Sequence, residues 1–444
     1  SFIEFVMKNN KLRKSLLAAS VRALSVFSGS ALAVDKTSDV DVSIILEGIF
    51  YNELSSGTAT PAGFGDAGHD DHDHDHGDAE EGHQHGFEEG FGLGHSELAI
   101  DAGLGELFDG RLLLGFDKSD VSVEEAWVKT RSLPAGLQLK FGKFLSDIGY
   151  VNSQHNHSWD FADRPLVNQY LFGEHGLQDV GLQATWQLPT ESYTLVGIEL
   201  LQGEGGVLDP YVEQEDVFEE QDAGPRIVTG FVKFGPDLGA DHAVQVGASG
   251  GYASQYVSDY DKHFHGTEPH TTAQMGSSWF AGLDGVYKYS SGKAYGEGDL
   301  RLTSEYYYVE RDLAQYSGEY HGHDIGTSSE EYHFEGSTKG TSYTEKQDGL
   351  YIEGVYGVMP RWQVGVRAEA LGLVNKQWNG GHGANLESLD ASYRYSGQVT
   401  WRPVEPVFLR TQFNHKDFSG DDGSSNEIIV QFNVALGAHG AHSF

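Results

Sequence analysis

Apolar and polar residues alternate with period two along most of this chain, the spacing of strands with one dry and one wet face. Near the C-terminus, Ile428, Val430, Phe432, Val434 and Leu436 alternate with Ile429, Gln431, Asn433, Ala435 and Gly437. In 178–188, Val180, Leu182, Ala184, Trp186 and Leu188 oppose Gln183, Thr185 and Gln187. In 390–402, Tyr393, Tyr395, Val399 and Trp401 oppose Arg394, Gln398, Thr400 and Arg402. A helix does not keep this spacing. The pattern predicts sixteen strands, over 39–54, 95–105, 109–118, 122–132, 136–146, 176–189, 192–203, 225–235, 242–257, 277–290, 298–312, 347–359, 361–373, 387–402, 406–417 and 425–437.

The links between them sort by length. After even-numbered strands they are tight and turn-like, as in Gly235-Pro236-Asp237 and Met359-Pro360-Arg361. After most odd-numbered strands they are long and polar: 55–94, 147–175, 204–224, 258–276, 313–346 and 374–386. An even strand count, tight turns at one end and long loops at the other describe an all-β, antiparallel transmembrane barrel with short periplasmic turns and long extracellular loops. Phe444 adds a C-terminal aromatic residue, common at the periplasmic end of such barrels.

Composition narrows this further. The 444 residues include 58 Gly, 24 Phe, 22 Tyr and 7 Trp, which suits a barrel whose strands are only half apolar. No run of ~18 apolar residues occurs, which excludes a helical membrane bundle. With 29 basic against 66 acidic residues the formal charge is −37, which fits no nucleic-acid partner. The absence of Cys excludes a disulfide scaffold, a thiol enzyme and a cysteine-type zinc site. No paired nucleophile and base stand out, so an enzyme is not expected.

The N-terminus reads as an export signal. From Met7, the basic residues Lys8, Lys11, Arg13 and Lys14 precede a mostly apolar stretch and the small-residue site Ala31-Leu32-Ala33. Residues 1–6 are expected to be a non-native leader, 7–33 the signal peptide and 34–444 the barrel.

Seventeen of the 21 His fall on the long-loop side. The densest run is Gly68-His69-Asp70-Asp71-His72-Asp73-His74-Asp75-His76, followed by His83 and His85. Further His-x-His pairs stand at His155/His157, His263/His265 and His321/His323, in separate loops. Imidazole and carboxylate together suit zinc, then copper or nickel. These residues are the candidate ligands of a flexible metal-capturing mouth, with zinc or another divalent ion as ligand or substrate and no organic cofactor. The acidic loop 204–224 has no His and reads as a solvated charge run.

On the polar strand faces Lys129, Arg131, Lys140, Arg301, Arg367, Arg394, Arg402 and Arg410 are candidate pore-lining residues, with Glu47, Glu305, Glu353 and Glu369 among their possible partners. A sixteen-stranded barrel leaves an aqueous lumen that needs narrowing. The loop 147–175 is long and aromatic, and its Trp159, Asp160, Phe161, Asp163 and Arg164 are expected to form a constriction.

Two resemblances follow. Phe141-Gly142-Lys143-Phe144, Asp163-Arg164-Pro165 and Gly176-Leu177-Gln178-Asp179-Val180-Gly181-Leu182 resemble the group that includes phosphate-selective porins. The His-rich loop and Gly437-Ala438-His439-Gly440-Ala441-His442 with the terminal Phe resemble Gram-negative proteins labelled zinc-regulated TonB-dependent outer-membrane receptors. The resemblance implies an outer-membrane channel linked to zinc, in contact with outer-membrane lipid and small ions or solutes, with a homotrimer as its assembly. TonB-dependent receptors have about 22 strands and a plugged lumen. The first strand here is expected to begin at 39, about five residues after the signal peptide, so no plug is expected and passive diffusion is favoured. A general or anion-selective porin with metal-responsive loops, or a surface metal-binding or adhesion barrel, remain the alternatives.

Overall fold

The alternating segments join into a single antiparallel sheet that returns on itself. A computed structural model describes residues 38–65, 87–118, 121–203, 223–265, 268–324, 330–378 and 386–437. Its strands are β1 (Ser38–Ser55), β2 (Gly90–Leu93), β3 (Ser96–Leu104), β4 (Phe108–Phe116), β5 (Val121–Thr130), β6 (Leu137–Leu145), β7 (Gln178–Gln187), β8 (Tyr193–Leu201) and β9 (Ile227–Gly235). They continue as β10 (His242–His265), β11 (Glu268–Tyr289), β12 (Leu300–Asp324), β13 (Glu330–Met359), β14 (Trp362–Trp378), β15 (Leu386–Ser388), β16 (Ser392–Val404), β17 (Val407–Asp417) and β18 (Ser425–Gly437). β2 and β15 are short additions at the loop end. The other sixteen correspond one to one with the expected strands. β1 pairs with both β3 and β18, which closes the barrel. Among the described residues no helix is long and apolar enough to cross a membrane.

The two faces of each strand are sorted as lipid and water demand. Val180, Trp186, Tyr395, Val399, Phe432 and Leu436 are exposed on the outside. Their neighbours Gln183, Arg394, Gln398, Thr400, Gln431 and Asn433 are buried inside. Polar side chains therefore fill the interior, many of them paired across strands, as Arg410 with Gln431 at 2.8 Å.

Two expected loops are not loops. The hairpin β10–β11 keeps its ladder as far as His265↔Glu268, and β12–β13 as far as Asp324↔Glu330. The segments 258–276 and 313–346 are thus largely strand, and His263, His265, His321 and His323 lie on strand backbone, with His263 opposite His270 and His321 opposite His333. The alternation fades there because beyond the lipid the two faces of a strand are no longer sorted into apolar and polar, so period two weakens while the hydrogen-bond ladder continues, and Ala273, Met275, Ala314 and Tyr316 pack into a separate apolar cluster.

The loop 147–175 folds into the lumen. Its residues Ile148, Val151, Val167, Leu171 and Phe172 pack with Phe144, Phe280, Tyr307 and Tyr351 of the wall. Gly149 allows the entry. It adopts φ +58°, and a Cβ there would lie 2.0 Å from Tyr307 Oη. A short helix, α1 (Leu166–Phe172), follows Pro165, and its first amide donates to Glu369 Oε1 at 2.7 Å. The first part of the loop 55–94 also turns over the mouth. Phe64 is buried against Tyr170, while Gln347 and Asn375 donate to the carbonyls of Gly63 and Ala62.

Candidate functional site

The infolded loop is held by two chemically different walls. On the β12–β18 side the grip is made by guanidinium groups. Arg394 Nη1 lies 2.9 Å from Asp163 Oδ2, and Arg367 pairs with the other oxygen of the same carboxylate. Gln412 and Asn414 donate to Asp163 at 2.7 and 2.9 Å. Arg410 and Arg394 donate to the carbonyls of Trp159 and Arg164, each at 2.7 Å, and Arg301 pairs with Asp160. Glu369 bridges Arg367 and Arg394. Burial alone would raise the Asp163 carboxyl, yet the charges of Arg367 and Arg394 hold it well below the usual carboxylate range. Glu305 serves backbone: it accepts from the Val151 amide at 2.7 Å and from Tyr307 and Tyr351.

On the opposite side, β3 and β5 present carboxylates to histidines. Glu97 is 1% exposed, and Glu124 and Glu125 are also buried. Two adjacent residues of a regular strand face opposite ways. Here the pairing of β4 with β5 slips between Leu113 and Leu114, so Glu125 stands opposite Leu113 while Val123 stands opposite Leu114. This bulge turns both Glu124 and Glu125 into the barrel. Gly115 leaves the room, since a Cβ there would lie 1.9 Å from Glu124 Oε1 and 3.1 Å from His95 Cε1.

The histidines then converge. His95 Nε2 lies 2.6 Å from Glu124 Oε1 and 3.8 Å from Glu97 Oε1. His155, carried in by the loop, sets Nδ1 3.6 Å from Glu97 Oε1 and 3.5 Å from Glu124 Oε2. Its Nε2 lies 2.7 Å from Glu125 Oε1. His157 stacks parallel to His155 and reaches the Glu97 carboxylate at 3.2 Å. Burial works to lower the His155 imidazole, but hydrogen bonds to Glu124 and Glu125 and the charge of Glu97 push it up to about 10. His175, 6.4 Å from His95 between ring centres, is lowered by burial. The cluster forms part of the wall of a cavity of about 870 Å³ on the loop side, which also takes in Glu47, Glu174 and Glu427.

Of the candidate metal ligands, His155 and His157 enter this cluster. His69, Asp70, Asp71, His72, Asp73, His74, Asp75, His76, His83 and His85 lie outside the described residues. So do the leader and signal-peptide segments and the C-terminal Gly437-to-Phe444 tail beyond its first residue. The segment 66–86 is flanked by Gly65 and by Phe87, and Phe87 packs on Tyr51 at the mouth. Of the candidate pore-lining residues, Arg367, Arg394 and Arg410 are buried and taken up by the loop, so they do not form an open basic track. Arg131 lies just beyond β5, half exposed, and pairs with Asp109 at 2.6 Å. Lys140 lies 3.8 Å from Asp147 of the loop, and Arg402 stacks over Phe408. Trp159, Asp160, Phe161, Asp163 and Arg164 all lie within the lumen-filling loop; Arg164 sits over the Trp159 ring at 4.8 Å. Sequence reasoning did not single out Glu97, Glu124 and Glu125 as partners for the histidines. The pattern His95-x-Glu97, two residues apart on one strand face, was the available signal.

No protein-family model matches the chain. It is 32% identical over 375 residues to an uncharacterized protein of Aquifex aeolicus (strain VF5), covering 82% of this chain and 72% of that protein, and it belongs to the same family. Among solved structures it is similar to the outer-membrane protein OmpT of Vibrio cholerae in its trimer form, at TM-score 0.52 and 11% identity, over 90% of this chain and 99% of that one. It is also similar to the anion-selective porin from Comamonas acidovorans, at TM-score 0.50 and 11% identity, over 90% and 100%. The likeness is one of fold: a sixteen-strand barrel of the kind that resides in the outer membrane of Gram-negative bacteria.

Proposed function

We propose that this outer-membrane barrel is a porin-like diffusion channel whose extracellular mouth gathers divalent metal, zinc foremost, for passage to the periplasm. The observation that carries the reading is the charge of the cavity above the infolded loop. Glu47, Glu53, Glu88, Glu124, Glu174 and Glu427 contribute carboxylates there, against the permanent positive charges of Lys118, Arg164, Arg394 and Lys416. A walled cleft of one dominant sign concentrates counter-ions. The His- and Asp-rich segment 66–86 starts and ends at this mouth and supplies ligands for capture. The loop 147–175 narrows the path below it.

A second reading has its own support. Below the loop, Lys140, Lys233 and Lys288 approach it from the tight-turn side: Lys288 stacks over Tyr150 at 5.9 Å, and Lys140 and Lys233 both act on Asp147. This half favours a general or anion-selective channel with metal-responsive loops. We take a homotrimer as the assembly.

Single-channel recording of the refolded protein in a planar bilayer separates these readings. The first expects cation-selective reversal potentials in a salt gradient and currents that respond reversibly to micromolar zinc and chelator. Anion-selective reversal potentials support the second. Silent bilayers from demonstrably folded barrels overturn both and leave a surface metal binder. The mass of the native oligomer tests the trimer.

A further inference from the structure

We infer that His95, Glu97 and Glu124 of the wall, with His155 of the infolded loop, form a site for one borderline divalent metal ion of the zinc type, and that the ion pins the loop to the wall. The inference rests on the channel reading only for its consequence; the site stands on its own geometry.

Three observations converge. The first is spacing. A tetrahedral zinc ion with bonds of 2.0–2.1 Å separates its ligand atoms by about 3.3 Å. The four candidate atoms are His95 Nε2, a Glu97 oxygen, a Glu124 oxygen and His155 Nδ1. His95 Nε2 lies 2.6 Å from Glu124 Oε1 and 3.8 Å from Glu97 Oε1, and His155 Nδ1 lies 3.6 Å from Glu97 Oε1 and 3.5 Å from the other Glu124 oxygen, Oε2. The three wall atoms lie within 4.8 Å of one another, and His155 Nδ1 stands beside them as the fourth candidate.

The second is orientation. A metal-bound imidazole typically donates its other N–H to a carboxylate, which fixes the ring and its tautomer. His155 does this. Its Nε2 faces Glu125 at 2.7 Å, while Nδ1 points at the cluster. Glu125 is in turn held by the Trp127 indole N–H at 2.6 Å. The bulge that brings Glu124 inward as a ligand therefore also brings Glu125 inward to orient another ligand.

The third is charge. Three buried carboxylates gather here, while Arg111, 3.9 Å from Glu125, is already paired with Asp101 at 2.7 Å. Buried carboxylates require compensation. A proton on an imidazole is one way to meet that need, and a divalent ion between Glu97 and Glu124 is the other. Two imidazoles with two carboxylates select zinc or a neighbouring first-row ion over calcium or magnesium, which want six or more oxygens.

The chain topology gives the site its effect. Glu97 and Glu124 belong to strands β3 and β5, His95 stands just before β3, and His155 belongs to the loop, 31 residues beyond Glu124 in sequence, so occupancy ties the position of the loop to metal concentration. The site is separate from the segment 66–86, and the two are distinguishable.

The test is zinc binding to the folded full-length chain, with folding checked by heat-modifiable migration on gels. Binding is read by equilibrium dialysis, and loop mobility by hydrogen exchange in peptides covering 147–175. Wild type is expected to bind one more equivalent than Glu124→Gln, and zinc is expected to slow exchange in the loop of wild type only. Gly115→Val, which crowds Glu124 without changing charge, is expected to lose the same equivalent. Glu125→Gln is expected to keep the site at about 10- to 100-fold weaker affinity. Equal stoichiometry in wild type, Glu124→Gln and Gly115→Val overturns the site. One equivalent lost with no zinc-dependent change in loop exchange overturns the pinning. Bilayer conductance is measured independently, so a failed channel reading and a failed metal site give different results.

Discussion

The loop 147–175 is gripped from two sides by opposite strategies. On the β12–β18 wall the positive partners are arginines, which stay charged, and the carboxylates Asp160, Asp163 and Glu369 answer them in bidentate or bridging geometry. That wall is close to charge balance without any added ion. On the β3–β5 wall the partners are imidazoles, neutral unless they take a proton, and the carboxylates outnumber permanent cations. The first arrangement is a fixed anchor. The second depends on protons held by imidazoles, as at His155, and so can respond to what the solution supplies. One loop is thus permanently attached along one flank and conditionally along the other.

The largest effect should come from breaking the fixed anchor. Asp163→Ala removes one of the two carboxylates that Arg367 and Arg394 share and leaves Glu369 to bridge them, and unpairing a buried ion pair costs roughly 3–5 kcal/mol. The expected outcome is a loop released from the β14–β16 wall, seen as larger single-channel conductance and new protease cleavage within 147–175. Unchanged conductance in a folded Asp163→Ala barrel would show that the loop is held elsewhere.

Acid should weaken the same anchor without mutation. Asp163 faces Arg367 and Arg394, with the carboxylates Glu369 and Glu427 nearby. Its folded pKa is depressed, so its contribution is complete above the unfolded value of about 3.9 and is lost as pH falls below it. Hydrogen exchange in the loop, corrected for intrinsic rates, should stay constant from neutral pH down to about 4.5 and rise below about 4. A rise already complete at pH 6 contradicts the assignment.

A smaller effect should follow from charge reversal below the loop. A unit charge about 10 Å from the ion path, at an effective dielectric of about 20, is worth roughly 1 kcal/mol after screening. Arg402→Glu should therefore move the permeability ratio several-fold toward cations, read as a reversal-potential shift in a salt gradient. No shift would mean that the conducting path avoids this wall.

The sequence foretold one side of the comparison better than the other. The sixteen strands and their inward and outward faces were legible, because lipid on one side and water on the other impose period two. The sites were less legible, because long-range contacts assemble them. Arg367, Arg394 and Arg410 read as free lining until the loop's own carboxylate and carbonyls cover them. Glu124-Glu125 reads as one residue in and one out, and only the slipped pairing with β4 turns both inward. His155 reads as one half of a loop pair, and Glu97 and Glu124 become its neighbours only after the loop enters. The extensions of β10–β13 were missed because period two ends with the membrane while the strand does not.

The smallest effect is expected at Arg131, which strand parity placed among the lining residues. It lies beyond the end of β5 with its side chain 46% exposed, and its partner Asp109 is 30% exposed. An ion pair in that setting is screened by salt, and its field decays within a Debye length of about 8–10 Å. Arg131→Gln should leave the permeability ratio and conductance as they are, while Arg402→Glu, farther inside the same barrel, shifts them. If the two variants shift selectivity equally, the field at the rim governs the ions, and the contrast between the two walls around the loop does not.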